Sequence, residues 1–160
     1  MATPSLAPAL LKQPIHLIAT GFGAGLVPVA PGTAGTLLAV VPAWLMADWP
    51  WIWRSGVVVV AIIIGVWVCG ASARRLGVHD HPAIVWDEIA GFLLIALVLP
   101  PGLGWLAAAF VLFRCFDIVK PWPIRDLDHS LRGGIGIMLD DLMAAGYAVI
   151  CLLLYQYFFP

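Results

Sequence analysis

The sequence predicts an all-α fold, a polytopic transmembrane helical bundle of about five spans, and three observations carry that expectation. Of the 160 residues, 62% are hydrophobic and only 11% are Asp, Glu, Lys or Arg, against roughly a quarter in soluble domains. Mean hydropathy is +1.01, far more apolar than the surface of a small water-soluble domain can be. Four stretches carry no formal charge: Gln13 to Ala47, Ser55 to Ala73, Ile89 to Phe113 and Leu142 to Pro160. Each meets the roughly 20-residue length of a spanning helix. A water-soluble enzyme, a nucleic-acid binder and a disordered chain are thereby excluded.

The elements follow in order. Residues 1–13 have one Lys, three alanines and two prolines without a tripartite signal pattern, so they are expected to form a short cytosolic or interfacial tail. Residues 14–160 then make a single transmembrane domain. Pro28, Pro31, Gly32 and Gly35 punctuate the entry to a first span from about Ala34 to Met46. The clearest span is Ser55 to Ala73, rich in Val and Ile and closed by Arg74 and Arg75, with Trp49, Trp51 and Trp53 before it as an aromatic belt. Ile89 to Phe113 is expected to fold back at Pro100-Pro101-Gly102, because two successive prolines remove two amide donors and bias Leu99 away from helix. Its halves, extended to Ala83 and Val119, are expected to be helices of about 17 residues. The last span is expected from about Asp140 to Phe159, ending on Tyr155, Tyr157 and Phe158.

Charge parity supports five crossings over four. Five crossings place Lys12, Arg74, Arg75, Arg114, Lys120, Arg125 and Arg132 on one side and leave only Arg54 on the other. That bias marks the first side as cytoplasmic. With four crossings it collapses.

The three cysteines, Cys69, Cys115 and Cys151, show no CxxC pairing and read as packing residues. The C-x5-R spacing from Cys69 to Arg75 lacks a glycine-rich loop and is read as accidental.

In the five-span arrangement the remaining polar residues gather on the cytoplasmic side in four blocks. The first, Gly21 to Thr36, is a Gly/Pro/Thr loop entering a helix. Its glycines read first as helix packing; alternatively the helix start offers amides to a phosphate, with Thr33 or Thr36 capping the helix or touching a ligand. No GxxxxGK occurs, so a nucleotide P-loop is excluded. The second block runs from His79 to Gly91. Asp87 and Glu88 open an apolar helix there, and Gly91, one turn from Glu88, allows another helix close to the acidic face. His79 and His81 read as loop residues rather than metal ligands. In the third block Arg114, Asp117 and Lys120 recur every third residue along one helical face. That is either a ladder of ion pairs or, at membrane depth, a functional set. The fourth block runs from Gly133 to Gly146, where Asp140 and Asp141 are expected to open the final helix and Ala144, Ala145 and Ala148 form a small-residue packing face.

Five carboxylates, Asp87, Glu88, Asp117, Asp140 and Asp141, against Arg114 and Lys120 leave three net negative charges. Such a cluster repels itself unless a cation sits in it. All-oxygen ligands favour Mg²⁺ over Mn²⁺ or Ca²⁺. Carboxylates for a metal, with Arg and Lys for an anion, are the ingredients of metal-assisted phosphoryl chemistry.

The four blocks GFGAGLVPVAPGTAGTL, HDHPAIVWDEIAG, FRCFDIVKPWPI and GGIGIMLDDLMAAG stand in this order over about Gly21 to Gly146. In that combination the chain resembles the phosphatidylglycerophosphatase A family of bacterial inner-membrane lipid phosphatases. The resemblance implies Mg²⁺-dependent hydrolysis of phosphatidylglycerophosphate to phosphatidylglycerol and inorganic phosphate, at the cytoplasmic face of a multi-pass inner-membrane protein with no required protein partner. It places the metal on Asp87, Glu88, Asp117, Asp140 and Asp141, and the phosphate on Arg114 and Lys120 with Thr33. One carboxylate, Asp87 or Asp141, would orient the attacking water. Asp126-Leu127-Asp128 mimics an aspartyl-phosphate motif, but it follows Pro121-Trp122-Pro123 with no aliphatic strand before it, so a surface loop is expected. The alternatives are a phosphatidate or lysophosphatidate phosphatase and a small divalent-cation transporter, which would spread its acids through the membrane depth.

Overall fold

Pro31 begins the first long helix because a proline in the first turn has no amide to leave unpaired and its fixed φ suits the helix. In the computed structural model, which describes residues 11–125, 131 and 133–159, this helix is one of six, and no strand occurs among the described residues. They are α1 (Pro14–Ala19), α2 (Pro31–Leu45), α3 (Trp51–Leu76), α4 (Trp86–Ala96), α5 (Leu103–Val119) and α6 (Gly134–Phe158), with a 3-10 turn at Ala24–Leu26. The all-α expectation holds. Most of the N-terminal tail, the Asp126-Leu127-Asp128 segment and Arg132 lie outside the described residues.

The helices α2 to α6 alternate in direction. At one end Gly32, opening α2, abuts Glu88 at the start of α4 and Arg114 late in α5, while Gly70, late in α3, meets Gly134 at the start of α6. At the other end the Arg54 guanidinium, in the first turn of α3, donates to the Ala96 carbonyl that closes α4, and Gln156 Nε2 of α6 donates to Val98 O at 3.3 Å. Arg54 thus lies opposite Arg74, Arg75, Arg114 and Lys120.

The short α4 is the centre of the bundle and packs against α2, α3, α5 and α6. Its Phe92 is fully buried, and the ring lies 6.3 Å from Phe113 and 6.4 Å from Phe110 of α5. On α6 the predicted small-residue face is realised, since Ala144, Ala145 and Ala148 are fully buried. Gly134 is tighter still, because a Cβ there would run into the Val66 carbonyl of α3.

Two expectations require correction. The Pro100-Pro101-Gly102 break does separate α4 from α5, but α4 has 11 residues and starts at Trp86 rather than Ala83. The preceding residues are committed elsewhere: Val85 N–H donates to Ala19 O, and Ala83 lies where any Cβ on Gly25 would strike its carbonyl. The final helix starts at Gly134, so Asp140 and Asp141 sit in its second turn instead of opening it. Gly134 and Gly136 act there as close-packing residues, not breakers, and Gly133 at φ +79° makes the turn. Of the expected spans, two helices, α3 and α6, are by themselves long and apolar enough to cross a membrane, and α2 is apolar but has 15 residues. At 1.5 Å per residue α2, α4 and α5 alone reach about 22, 16 and 25 Å, short of a hydrocarbon core of about 30 Å.

The aromatic residues expected at one interface are exposed at the end away from Glu88: Trp49 just before α3, Trp51 and Trp53 in its first turn, and Tyr155, Tyr157 and Phe158 on α6.

Candidate active site

The helix dipole favours carboxylates in a first turn, and Asp87 and Glu88 occupy the first turn of α4. Asp141 comes to them from α6. Gly91, the next turn of α4, makes this possible: a Cβ there would meet the Phe113 ring at 2.9 Å and the Asp141 carbonyl at 3.2 Å. Ligand atoms of Asp87, Glu88 and Asp141 consequently lie within 4.8 Å of one another. Asp87 is 6% exposed and Asp141 3%. Among the described residues, Asp87 Oδ1, Glu88 Oε2 and Asp141 Oδ1 are buried without a hydrogen-bond partner.

Buried carboxylate oxygens without partners are costly, and three in one place repel each other. An all-oxygen donor set of this kind fits a hard dication, Mg²⁺ before Mn²⁺ or Ca²⁺.

The two cations flank this cluster. Arg114 Nη1 lies 2.5 Å from Asp117 Oδ2 and 3.8 Å from Glu88 Oε1, and Lys120 Nζ donates to Asp140 Oδ2 at 2.6 Å. Of the five acids expected on a metal, the structure brings three to one point; Asp140 pairs with Lys120, and Asp117 pairs with Arg114 while also reaching Asp141. The i,i+3 ladder exists between Arg114 and Asp117. Lys120 departs from it because it caps α5 with φ +44°, a left-handed conformation usually left to glycine. Ala30, before Pro31, is likewise left-handed at φ +51°. Such non-glycine conformations gather at functional sites.

The glycine block meets the cluster through Gly32. A Cβ on Gly32 would overlap Glu88 Oε1 and lie 3.1 Å from Arg114 Nη1, so only glycine lets the start of α2 touch that ion pair. Thr33, the next residue, is half-buried in the first turn of α2. Thr36 does not cap the helix: its hydroxyl donates to Gly32 O at 2.9 Å within its own helix. Gly32 stood in the expected packing stretch, but its contact with Glu88 and Arg114 had no signal of its own in the sequence.

Neither loop histidine joins the acids. His79 Nε2 lies 3.2 Å from Leu131 O, and His81 Nδ1 accepts from the Ala83 amide at 3.1 Å. Cys69 is buried in the core as expected, Cys151 is half-buried, and Cys115 is exposed rather than packed, since its side of α5 faces outward. One buried polar pair was not anticipated: His16 Nδ1 lies 2.9 Å from Ser72 Oγ, tying α1 to α3. A histidine and a serine inside otherwise chargeless stretches were the available signal. Burial, reinforced by Arg75, holds the His16 pKa below its ordinary value.

A profile of the family described as phosphatidylglycerophosphatase A matches residues 17–156. The chain is 49% identical to phosphatidylglycerophosphatase A of Escherichia coli K12 over 136 residues, 84% of this chain and 78% of that protein. It is 43% identical to phosphatidylglycerophosphatase A of Haemophilus influenzae Rd, over 92% of this chain and 91% of that one. A Bacteroides thetaiotaomicron protein provisionally named phosphatidylinositol-3-phosphatase is 37% identical over 94% of each chain. No solved structure matches significantly. The match spans the glycine block, the three clustered carboxylates and both cations, and the chain belongs to the phosphatidylglycerophosphatase A family.

Proposed function

We propose that this chain is a membrane-embedded phosphatase that hydrolyses phosphatidylglycerophosphate to phosphatidylglycerol and inorganic phosphate, using Mg²⁺. The observation that carries the proposal is the buried triad of Asp87, Glu88 and Asp141 within 4.8 Å, flanked by Arg114 and Lys120, in a member of this family.

Asp87, Glu88 and Asp141 would hold the ion, which when bound supplies Lewis-acid polarisation of a phosphoryl oxygen. Arg114 and Lys120 neutralise the non-reacting oxygens, and their ion pairs with Asp117 and Asp140 keep both side chains extended toward the phosphate. The first-turn amides of α2 at Gly32 and Thr33 add the positive end of a helix dipole. Asp87 or Asp141 accepts the proton of the attacking water. The new P–O bond forms to that water as the ester P–O bond breaks, and the glycerol oxygen leaves as an alcohol on taking up the proton that the carboxylate accepted.

Embedding is supported by the two long apolar helices. The alternating directions of α2 to α6 support five crossings, with the flanks of α2, α4 and α5 completing the shorter ones. Lys12, Arg74, Arg75 and Arg125 belong to the acidic-cluster end and Arg54 to the other, which supports a cytoplasmic active site in a bacterial inner membrane. Clustering of the acids at one end of the bundle argues against a cation transporter.

The test is phosphate release by the purified protein from phosphatidylglycerophosphate, phosphatidate and phosphatidylinositol 3-phosphate, with Mg²⁺ and with EDTA. Turnover should be highest on phosphatidylglycerophosphate, stop with EDTA and return with Mg²⁺. Preference for either other lipid would change the substrate, and EDTA-resistant turnover would remove the metal. A tag at Pro101 should be accessible only from outside the cell; cytosolic access would overturn five crossings.

A further inference from the structure

We infer that the groove between α5 and α6 binds one acyl chain of the phospholipid substrate and senses its length; this rests on the lipid-phosphatase function proposed above. The groove has a volume of about 560 Å³ and is lined by Trp105, Ala108 and Leu112 of α5 and Cys151, Leu152 and Tyr155 of α6. On each helix these residues recur at helical spacing and so form one face. Trp105 and Tyr155 close its far end, ring edge to ring face, with centroids 5.8 Å apart.

The same seam leads to the active site. One to two turns nearer, Phe116 and Tyr147 stand 5.5 Å apart, and beyond them Lys120 meets Asp140 at 2.6 Å. The groove thus lies on the same α5–α6 seam as the seat proposed for the phosphate, one turn beyond the Phe116–Tyr147 pair. At 1.5 Å per residue, Leu112 lies about 12 Å and Ala108 about 18 Å along α5 from Lys120. Cys151 lies about 16 Å along α6 from Asp140 by the same measure. One leaflet of hydrocarbon is about 15 Å deep. A lipid with its phosphate at Lys120 therefore places the distal half of a full-length chain in the groove, whereas a chain about half that length ends short of it.

The other large apolar groove fits this role less well. It lies between α2 and α3 over Trp86, Ile89 and Leu93, a face of α4 turned away from Glu88.

The experiment compares dipalmitoyl with dioctanoyl phosphatidylglycerophosphate in mixed micelles, for the wild-type protein and Cys151→Trp, which fills the groove. Cys151→Trp should lower kcat/KM about tenfold for the dipalmitoyl lipid, through KM, and leave the dioctanoyl lipid within about twofold, a selective loss of about 1.4 kcal/mol. An equal effect on both lipids, or on neither, would overturn the groove site while leaving the phosphatase function intact. Failure of the wild-type protein on both lipids would overturn that function and this inference with it. Should Cys151→Trp not fold, N-ethylmaleimide labelling of Cys151 in Cys115→Ser protein gives the same answer. Dipalmitoyl lipid should slow the labelling and dioctanoyl lipid should not; equal rates would refute the inference.

Discussion

Gly32→Ala is the substitution whose effect follows most directly from the packing. The added methyl would overlap Glu88 Oε1 and sit 3.1 Å from Arg114 Nη1, where the Glu88–Arg114 separation is 3.8 Å. Either Glu88 or the start of α2 must shift by about 1 Å, and misplacement of that size costs on the order of 10² in rate. Overpacking of a tight site costs about 1–3 kcal/mol of stability. Phosphate release from phosphatidylglycerophosphate should therefore fall about 100-fold, mainly in kcat. The melting temperature in detergent should fall by about 2–4 °C per kcal/mol lost. Glu88→Asp, one methylene shorter, makes room for the methyl, so the double variant should be no worse than the poorer single one. Full activity of Gly32→Ala, or losses that simply multiply in the double variant, would refute direct contact between the α2 start and the acid–base cluster.

Other predictions concern the same cluster and its supports. Asp87→Asn and Asp141→Asn should each lower kcat/KM by at least about 10³, worth about 4 kcal/mol, while the protein still inserts in membranes; a near-wild-type rate in both would remove the triad from the chemistry. Arg114→Lys keeps the charge but loses the rigid planar guanidinium whose Nη1 stands beside both Asp117 and Glu88, and should cost about tenfold in kcat/KM, read in the same assay. His16 has a folded-state pKa below its unfolded value of about 6.5, because burial first and Arg75 second disfavour the imidazolium. Its contribution to stability is complete above that unfolded value and is lost as pH falls through the lower folded one. Melting temperature should thus drop more steeply between neutral and mildly acidic pH in the wild-type protein than in His16→Gln; parallel slopes would exclude His16 as a source.

How much of this was readable beforehand depended on whether the governing interaction was local. The Pro100-Pro101-Gly102 break, the buried face of Ala144, Ala145 and Ala148, and the close approach at Gly91 follow from residue chemistry at fixed spacing, and all are present. The start of α4 was misplaced because Val85 gives its amide to Ala19, 66 positions away by number, and no local pattern encodes that bond. Gly134 and Gly136 looked like turn residues, but Gly134 serves the crossing of α6 with α3 and Gly136 makes room for Leu131 of the preceding loop. For the site, composition identified all seven charged residues. It did not tell that Asp117 and Asp140 would pair with Arg114 and Lys120 while Asp87, Glu88 and Asp141 converge, with Glu88 also near Arg114 and Asp117 also reaching Asp141, since that arrangement depends on the register between α4, α5 and α6.

The account stands or falls on whether Asp87, Glu88 and Asp141 share one divalent cation. Mn²⁺ binding to the purified protein, followed by electron paramagnetic resonance and displaced by Mg²⁺, measures this without reference to turnover. Saturable Mn²⁺ binding that Mg²⁺ competes away, and that Asp87→Asn, Glu88→Gln and Asp141→Asn each weaken by tenfold or more, about 1.4 kcal/mol, is the predicted result. Unchanged Mn²⁺ affinity in all three variants would contradict it.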